Sequence, residues 1–198
     1  VVYIAHEMTP FSGKDVTVYS NCDEVRITFL KDGKTYTYNK PVVKEGMPSP
    51  VITFSDVYDF MVDKAMSRKK KQDEVLLRAE GLIDGKVVAT HEVHPARRPE
   101  KVLLWVDNEN VNLKADGSDF VTVVAAIADK NGNIKRLNNY YVKFHVEGEG
   151  RILGDAGILA NPAPVKWGTA PVLIQSTLKP GKIKVTASVL FEGSQMPV

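Results

Sequence analysis

Hydrophobic and polar positions alternate with a period of two along most of the chain. Val25, Ile27 and Phe29 are separated by Arg26 and Thr28, and Val142, Phe144 and Val146 by Lys143 and His145. Ile183, Val185, Ala187 and Val189 alternate with Lys184, Thr186 and Ser188. Successive side chains of a strand point to opposite faces, so each run predicts a strand with one buried and one wet face. Val121, Val123, Ala125 and Ile127 continue the pattern, but Val121 to Ala128 is apolar on both faces. That stretch is expected to be a central strand covered on both sides. Asp32-Gly33, Asp84-Gly85, Asp116-Gly117 and Asn131-Gly132 are turn dipeptides. Hairpins are expected around Asp84-Gly85, and around Asn131-Gly132 with its second strand running from Ile134. Many short strands with frequent turns specify an all-β chain of antiparallel sandwiches.

One segment departs from this. Val57, Phe60, Met61 and Ala65 fall on one helical face, with Ser55 as a cap and Asp56 and Asp59 near the positive end of the helix dipole. Arg68 and Lys69 to Lys71 follow at the other end. This predicts a short helix over roughly 56–67. His94-Pro95-Ala96-Arg97-Arg98-Pro99 interrupts the strands, since neither Pro can donate a ladder hydrogen bond. The reading is therefore two consecutive immunoglobulin-like sandwiches, 1–96 with the helical insertion and 97–198, each near the ~100 residues usual for that fold.

Composition narrows the chemistry. The 198 residues are 43% hydrophobic and 25% charged, with a net charge of +2. This is ordinary globular composition, with no field to attract nucleic acid and no apolar run for a membrane helix. The single Cys22 leaves no intrachain disulfide and no multi-cysteine zinc site, so the thiol is expected to be reduced and inert. His91 and His94 are three apart, on opposite faces of a strand, and cannot jointly hold a metal there. Asp129-Lys-Asn131-Gly-Asn133 resembles the start of a calcium loop but lacks the closing Glu, and a turn accounts for the same residues. Gly148-Glu149-Gly150 precedes no helix and reads as a loop. No catalytic residue, metal ligand or cofactor-binding residue is indicated, and no cofactor is expected. The contact candidates are aromatic: Trp167 in the loop-like Asn161-Pro162-Ala163-Pro164-Val165-Lys166-Trp167-Gly168, and Tyr140 and Tyr141, of which one must face away from the core. Such rings stack on sugars or anchor protein interfaces, and also pack in cores.

Val16-Thr-Val-Tyr-Ser-Asn-Cys-Asp-Glu-Val25 resembles the opening of a domain that follows the catalytic barrel in bacterial glycoside hydrolase family 2 β-galactosidases. Leu113-Lys-Ala-Asp-Gly-Ser-Asp-Phe-Val-Thr-Val123, Tyr141 to Gly154 and Pro180 to Ala187 resemble the bacterial Ig-like domain that comes next there. The first domain departs from the commoner pattern of the family through the insertion at 55–71. The resemblance implies a parent enzyme that hydrolyses terminal β-galactosides with two glutamates on a (β/α)8 barrel. No position here matches those motifs, and no barrel pattern is present. The chain, which begins at Val1 rather than Met, is thus expected to be a non-catalytic C-terminal accessory region of a Bacteroides-type enzyme. Its expected partners are the barrel and other domains of the parent, with carbohydrate or a second copy as alternatives, and not nucleic acid or membrane. The resemblance further implies a periplasmic or secreted location. The alternatives are a carbohydrate-binding module and an Ig-like module of a surface adhesin.

Overall fold

A computed structural model describes residues 1–31, 34–44, 46, 50–68, 75–107 and 112–190. The chain divides into two compact units, Val1–Pro95 and Ala96–Val198. The Asp32-Gly33 turn and Lys69 to Lys71 lie outside the described residues.

The first unit holds β1 (Val2–Ala5), β2 (Val16–Ser20), β3 (Glu24–Lys31), β4 (Lys34–Pro41), β5 (Val51–Phe54), α1 (Phe60–Arg68), β6 (Leu76–Ile83) and β7 (Lys86–Val93). One sheet has the order β1-β2-β5 and the other β4-β3-β6-β7, with every pairing antiparallel. Val25, Ile27 and Phe29 of β3 are buried and meet Val16, Val18, Ile52 and Phe54 from the facing sheet in one core. The intervening Arg26 lies opposite Glu80 on β6 and donates to it at 2.6 Å, while Arg78 donates to Glu92 of β7 at 2.6 Å. That outer face is polar and wet, as the alternation predicts. Asp84 and Gly85 join β6 to β7 with φ of 50° and 71°, the pair of positive values that a type I′ hairpin requires. Gly81 has a different constraint: a Cβ there would come 2.5 Å from the Sγ of Cys22, which is buried and unoxidised beneath it.

The helix begins later than expected and buries a partly different face. The Val57 and Tyr58 amides both donate to the Lys14 carbonyl at 2.9 Å, holding residues 55–58 in a turn. Asp59, not Ser55, then caps the helix, its Oδ1 accepting from the Met61 amide at 2.9 Å. Of the predicted stripe, Val57 and Phe60 pack on the core, whereas Met61 and Ala65 are exposed and Asp63 and Met66 are buried.

The second unit holds β8 (Lys101–Asp107), β9 (Phe120–Ala128), β10 (Tyr141–Gly148), β11 (Gly150–Ile152), β12 (Ala163–Pro164), β13 (Thr169–Ser176) and β14 (Ile183–Leu190). Its sheets run β12-β10-β14 and β11-β13-β9-β8, again antiparallel throughout. Val123, Ala125 and Ile127 of β9 pack against Val142 and Phe144 of β10, with Ala170, Val172 and Ile174 of β13 beside them. β9 is central, flanked by β8 and β13, as its composition predicts. Cover on its second face is uneven: Ala126 and Ala128 are buried, whereas Thr122 and Val124 are only half-buried. Gly148 is where β10 gives way to β11 of the opposite sheet. Its φ is 92°, and a Cβ would stand 2.1 Å from the Lys182 carbonyl, so only glycine fits. The Asn131-Gly132 turn forms, but no second strand follows; pairing there is limited to the single bridge Ala128↔Ile134.

His6 connects fold to pH. Its Nδ1 accepts from the Met8 amide at 3.1 Å, so the proton resides on Nε2, which donates to the Gly13 carbonyl at 2.9 Å. The ring stands edge-on to buried Tyr58, with centroids 4.8 Å apart. Burial holds its pKa below the ordinary 6.5, outweighing the Gly13 bond and the charge of Glu7, which act the other way. The unfolded chain therefore binds this proton more readily than the folded one. The stability that depends on neutral His6 is complete above pH 6.5 and is lost as the pH falls below it. Thermal melts of wild type and His6→Gln between pH 7.5 and 5 test this. The wild type should lose more of its melting temperature over that interval than the variant, and equal losses would contradict it.

Candidate functional site

The sequence candidates lie at one end of the second unit. β12 leads through Val165 into a two-residue hairpin whose tip is Trp167-Gly168. Lys166 and Thr169 exchange backbone hydrogen bonds of 2.8 and 3.1 Å across it. Trp167 and Gly168 have φ of 51° and 85°, again the type I′ combination. Gly168 is required, because a Cβ would lie 2.6 Å from Ile134 Cγ2 and 2.9 Å from the Lys135 carbonyl. Trp167 is not: a bulky residue at positive φ is strained, and Asn or Gly suits the position better. Arg136 Nη1 donates to the Trp167 carbonyl at 3.3 Å, and the residue is 56% exposed. The indole is therefore not a core plug.

The two tyrosines part company. Tyr140 is half-buried against the core, and its carbonyl accepts from the Val165 amide at 2.9 Å. Tyr141 stands on the outer face of β10, opposite Pro164 and Leu190. Adjacent strand residues cannot present both rings on one face, so the structure does not assemble the pair into a platform.

The calcium-like segment is organised by its own carboxylate. Asp129 is fully buried. Its Oδ1 accepts from the Asn131 and Asn133 amides at 2.9 and 3.0 Å, and its Oδ2 from the Arg97 amide at 3.0 Å and Asn133 Nδ2 at 3.1 Å. Desolvation would raise its pKa, but these donors together hold it below the usual carboxylate value. Both oxygens are occupied by donors of the turn, and Oδ2 by the Arg97 amide as well. Among the described residues, no group of three or more His, Cys, Asp or Glu is placed to hold a metal. Sequence reasoning missed that Asp129 also fastens Arg97, at the opening of this unit.

A shallow cavity of about 410 Å³ is lined by Asn112, Lys114, Asp116, Ser118, Asp119 and Phe120. Asp116 Oδ1 accepts from the Ser118 amide, the Ser118 hydroxyl and the Asp119 amide, bonds that keep its pKa low. Asp119 accepts from the amides of Lys114 and Phe120. Glycoside hydrolysis needs one carboxyl that stays protonated to act as acid. Here both carboxylates brace a loop, and Asp116 is held in its ionised form.

Two substitutions test these assignments. Asp129→Ala removes the acceptor for four buried or half-buried donors, and denaturant unfolding should show a loss of about 1–3 kcal/mol. Trp167→Gly should leave stability unchanged or raise it by about 1 kcal/mol, since it relieves a positive-φ strain without emptying a core site. A loss of about 3–5 kcal/mol, typical of a buried aromatic, would contradict the exposed placement of the indole.

Residues 104–190 match the family model described as glycoside hydrolase family 2 C-terminal domain 5. Over 195 residues, 94% of its length, the chain is 32% identical to a β-galactosidase from Thermoanaerobacter pseudethanolicus and covers 24% of that protein. It is 36% identical over 115 residues to a β-galactosidase from Bacteroides ovatus, covering 52% of this chain and 13% of the relative. The fold is shared with a β-glycosidase from Bacteroides vulgatus, at a TM-score of 0.65 and 24% identity over 95% of this chain and 23% of that one. A glycosyl hydrolase family 2 member from Bacteroides cellulosilyticus shares it at 0.60 and 22%, over 93% of this chain and 24% of that one. The chain thus spans about a quarter of the length of the first of these relatives. Residues 104–190 match the model of glycoside hydrolase family 2 C-terminal domain 5, and nearly the whole chain is similar to a portion of a β-galactosidase.

Proposed function

We propose that this chain is a non-catalytic accessory region of a β-galactosidase. It supports a catalytic barrel, carried elsewhere on the polypeptide, that hydrolyses terminal β-galactosides. The observation that carries this reading is identity extending over 94% of the chain to a β-galactosidase of which it corresponds to 24%. The loop-bracing roles of Asp116, Asp119 and Asp129 support it, because carboxylates occupied by amide donors are poorly placed to exchange protons with a sugar. Within such an enzyme the work of two sandwiches is mechanical: bracing the barrel or joining domains and copies.

The exposed Trp167 favours a second reading, in which the indole is a sugar contact. A strained, solvent-facing aromatic that the fold does not need is the kind of feature from which a contact role is inferred. A lone ring gives a weak sugar site, so contact with the parent enzyme is preferred.

Incubated with a chromogenic β-galactoside, the 198-residue chain should give the buffer rate. Turnover that survives repurification and is lost on mutation of a carboxylate in this chain would overturn the accessory role. Titration with galactose and galacto-oligosaccharides, followed by NMR shifts, should show no saturable binding. Saturation that Trp167→Ala abolishes would establish the carbohydrate-binding reading in its place.

A further inference from the structure

Since Val123, Ala125 and Ile127 point into the core, Thr122, Val124 and Ala126 of β9 point out. Strand register places Leu103 and Trp105 of β8, and Thr169, Pro171 and Leu173 of β13, on the same outer face. Trp105 is 41% exposed and Leu173 38%, with Val124 half-buried between Trp105 and Pro171. The centre of this face has no charge. Lys101, Asp107 and Arg151 stand at its margins.

Two other wet faces of the molecule follow the opposite rule, whereas the outer face of β1, β2 and β5, which carries Tyr3, Tyr19 and Val51, is also uncharged. On β10 and β14 the outward residues include Lys143, His145, Glu147, Lys184, Thr186 and Ser188, with Tyr141 and Leu190 at one end and Lys184 bonded to Glu147 at 3.2 Å. On β3 and β6 they include Arg26, Thr28, Arg78 and Glu80. An apolar centre containing an aromatic, with a charged rim, is the composition of an interface rather than of a solvated sheet.

The size of the face selects its occupant. With strands about 4.8 Å apart and same-face residues about 6.8 Å apart, it covers about 300–400 Å². Free partners that form stable complexes bury about 800 Å² each. A tethered domain needs less, because the linker supplies a high effective concentration. A sugar would find few polar partners here, Thr122 and Thr169 being the hydroxyls on the face. The relative from Thermoanaerobacter carries about three times as much chain again as the portion matched.

We propose that the outer face of β8, β9 and β13 docks another folded domain of the same polypeptide, through a surface that is apolar at its centre and polar at its edge. This rests on the reading that the chain is part of a longer glycosidase. The test compares maleimide labelling of Leu173→Cys, and of Leu103→Cys as a second probe, in the 198-residue chain and in the complete polypeptide that carries it. Thr186→Cys on β14 is the control, labelling is read peptide by peptide by mass spectrometry, and buried Cys22 adds little background. Leu173→Cys should react as fast as the control in the 198-residue chain. In the complete polypeptide it should slow by about tenfold or more while the control is unchanged. Equal rates in the two proteins, or slow labelling already in the 198-residue chain, would overturn the proposal. A complete polypeptide without β-galactosidase activity would defeat the functional reading and still leave the labelling to decide the docking.

Discussion

In the second unit, one strand imposes the geometry on which everything else depends. β9 pairs along most of its length with β8 on one side and β13 on the other, and its inward residues Val123, Ala125 and Ile127 meet Val142 and Phe144 across the sandwich. Because side chains alternate strictly, fixing those three inward fixes Thr122, Val124 and Ala126 outward, and register then places Trp105, Pro171 and Leu173 beside them. A one-residue slip would exchange the two sets. The core and the apolar outer face are therefore two consequences of one alternation. The Asp129 carboxylate, which binds the start of the unit to the turn after β9, fastens one end of that strand.

The sandwich architecture was legible because its signal is periodic and local. Val25, Ile27 and Phe29 are buried where alternation put them, and Asp84-Gly85 closes its hairpin with the positive φ values its composition anticipates. The helix was legible in existence but only partly in phase, since its start depends on the Lys14 carbonyl, more than forty positions away in the chain, capturing two amides. The strand expected after Asn131-Gly132 failed for a related reason. The turn is made by Asp129, and once its carboxylate has bound the loop, only a single bridge follows at Ile134.

Sites were less legible than fold. Sequence identified Trp167 as a loop residue, but not that it occupies a hairpin tip at φ 51°, a fact set by Gly168 and its contact with Ile134 and Lys135. The split between Tyr140 and Tyr141 followed from alternation alone. The apolar face around Trp105 left a trace that was read differently: apolar residues on both sides of Val121 to Ala128 pointed to a strand covered on both faces. The strand is central, yet its second face is fully covered only at Ala126 and Ala128 and half-covered at Thr122 and Val124. A sequence that specifies cover which the chain does not fully supply is consistent with a region that acts by being joined to something larger.

That dependence can be measured directly. The complete polypeptide and a version lacking residues 96–198 would be compared for β-galactoside hydrolysis and thermal inactivation. If the unit braces a catalytic barrel, its removal should leave turnover at low temperature intact but make the polypeptide inactivate at a clearly lower temperature. Unchanged inactivation after removal would contradict a bracing role. Complete loss of the chemical step in a truncated protein that remains folded would place catalytic function in this chain and contradict the account at its root.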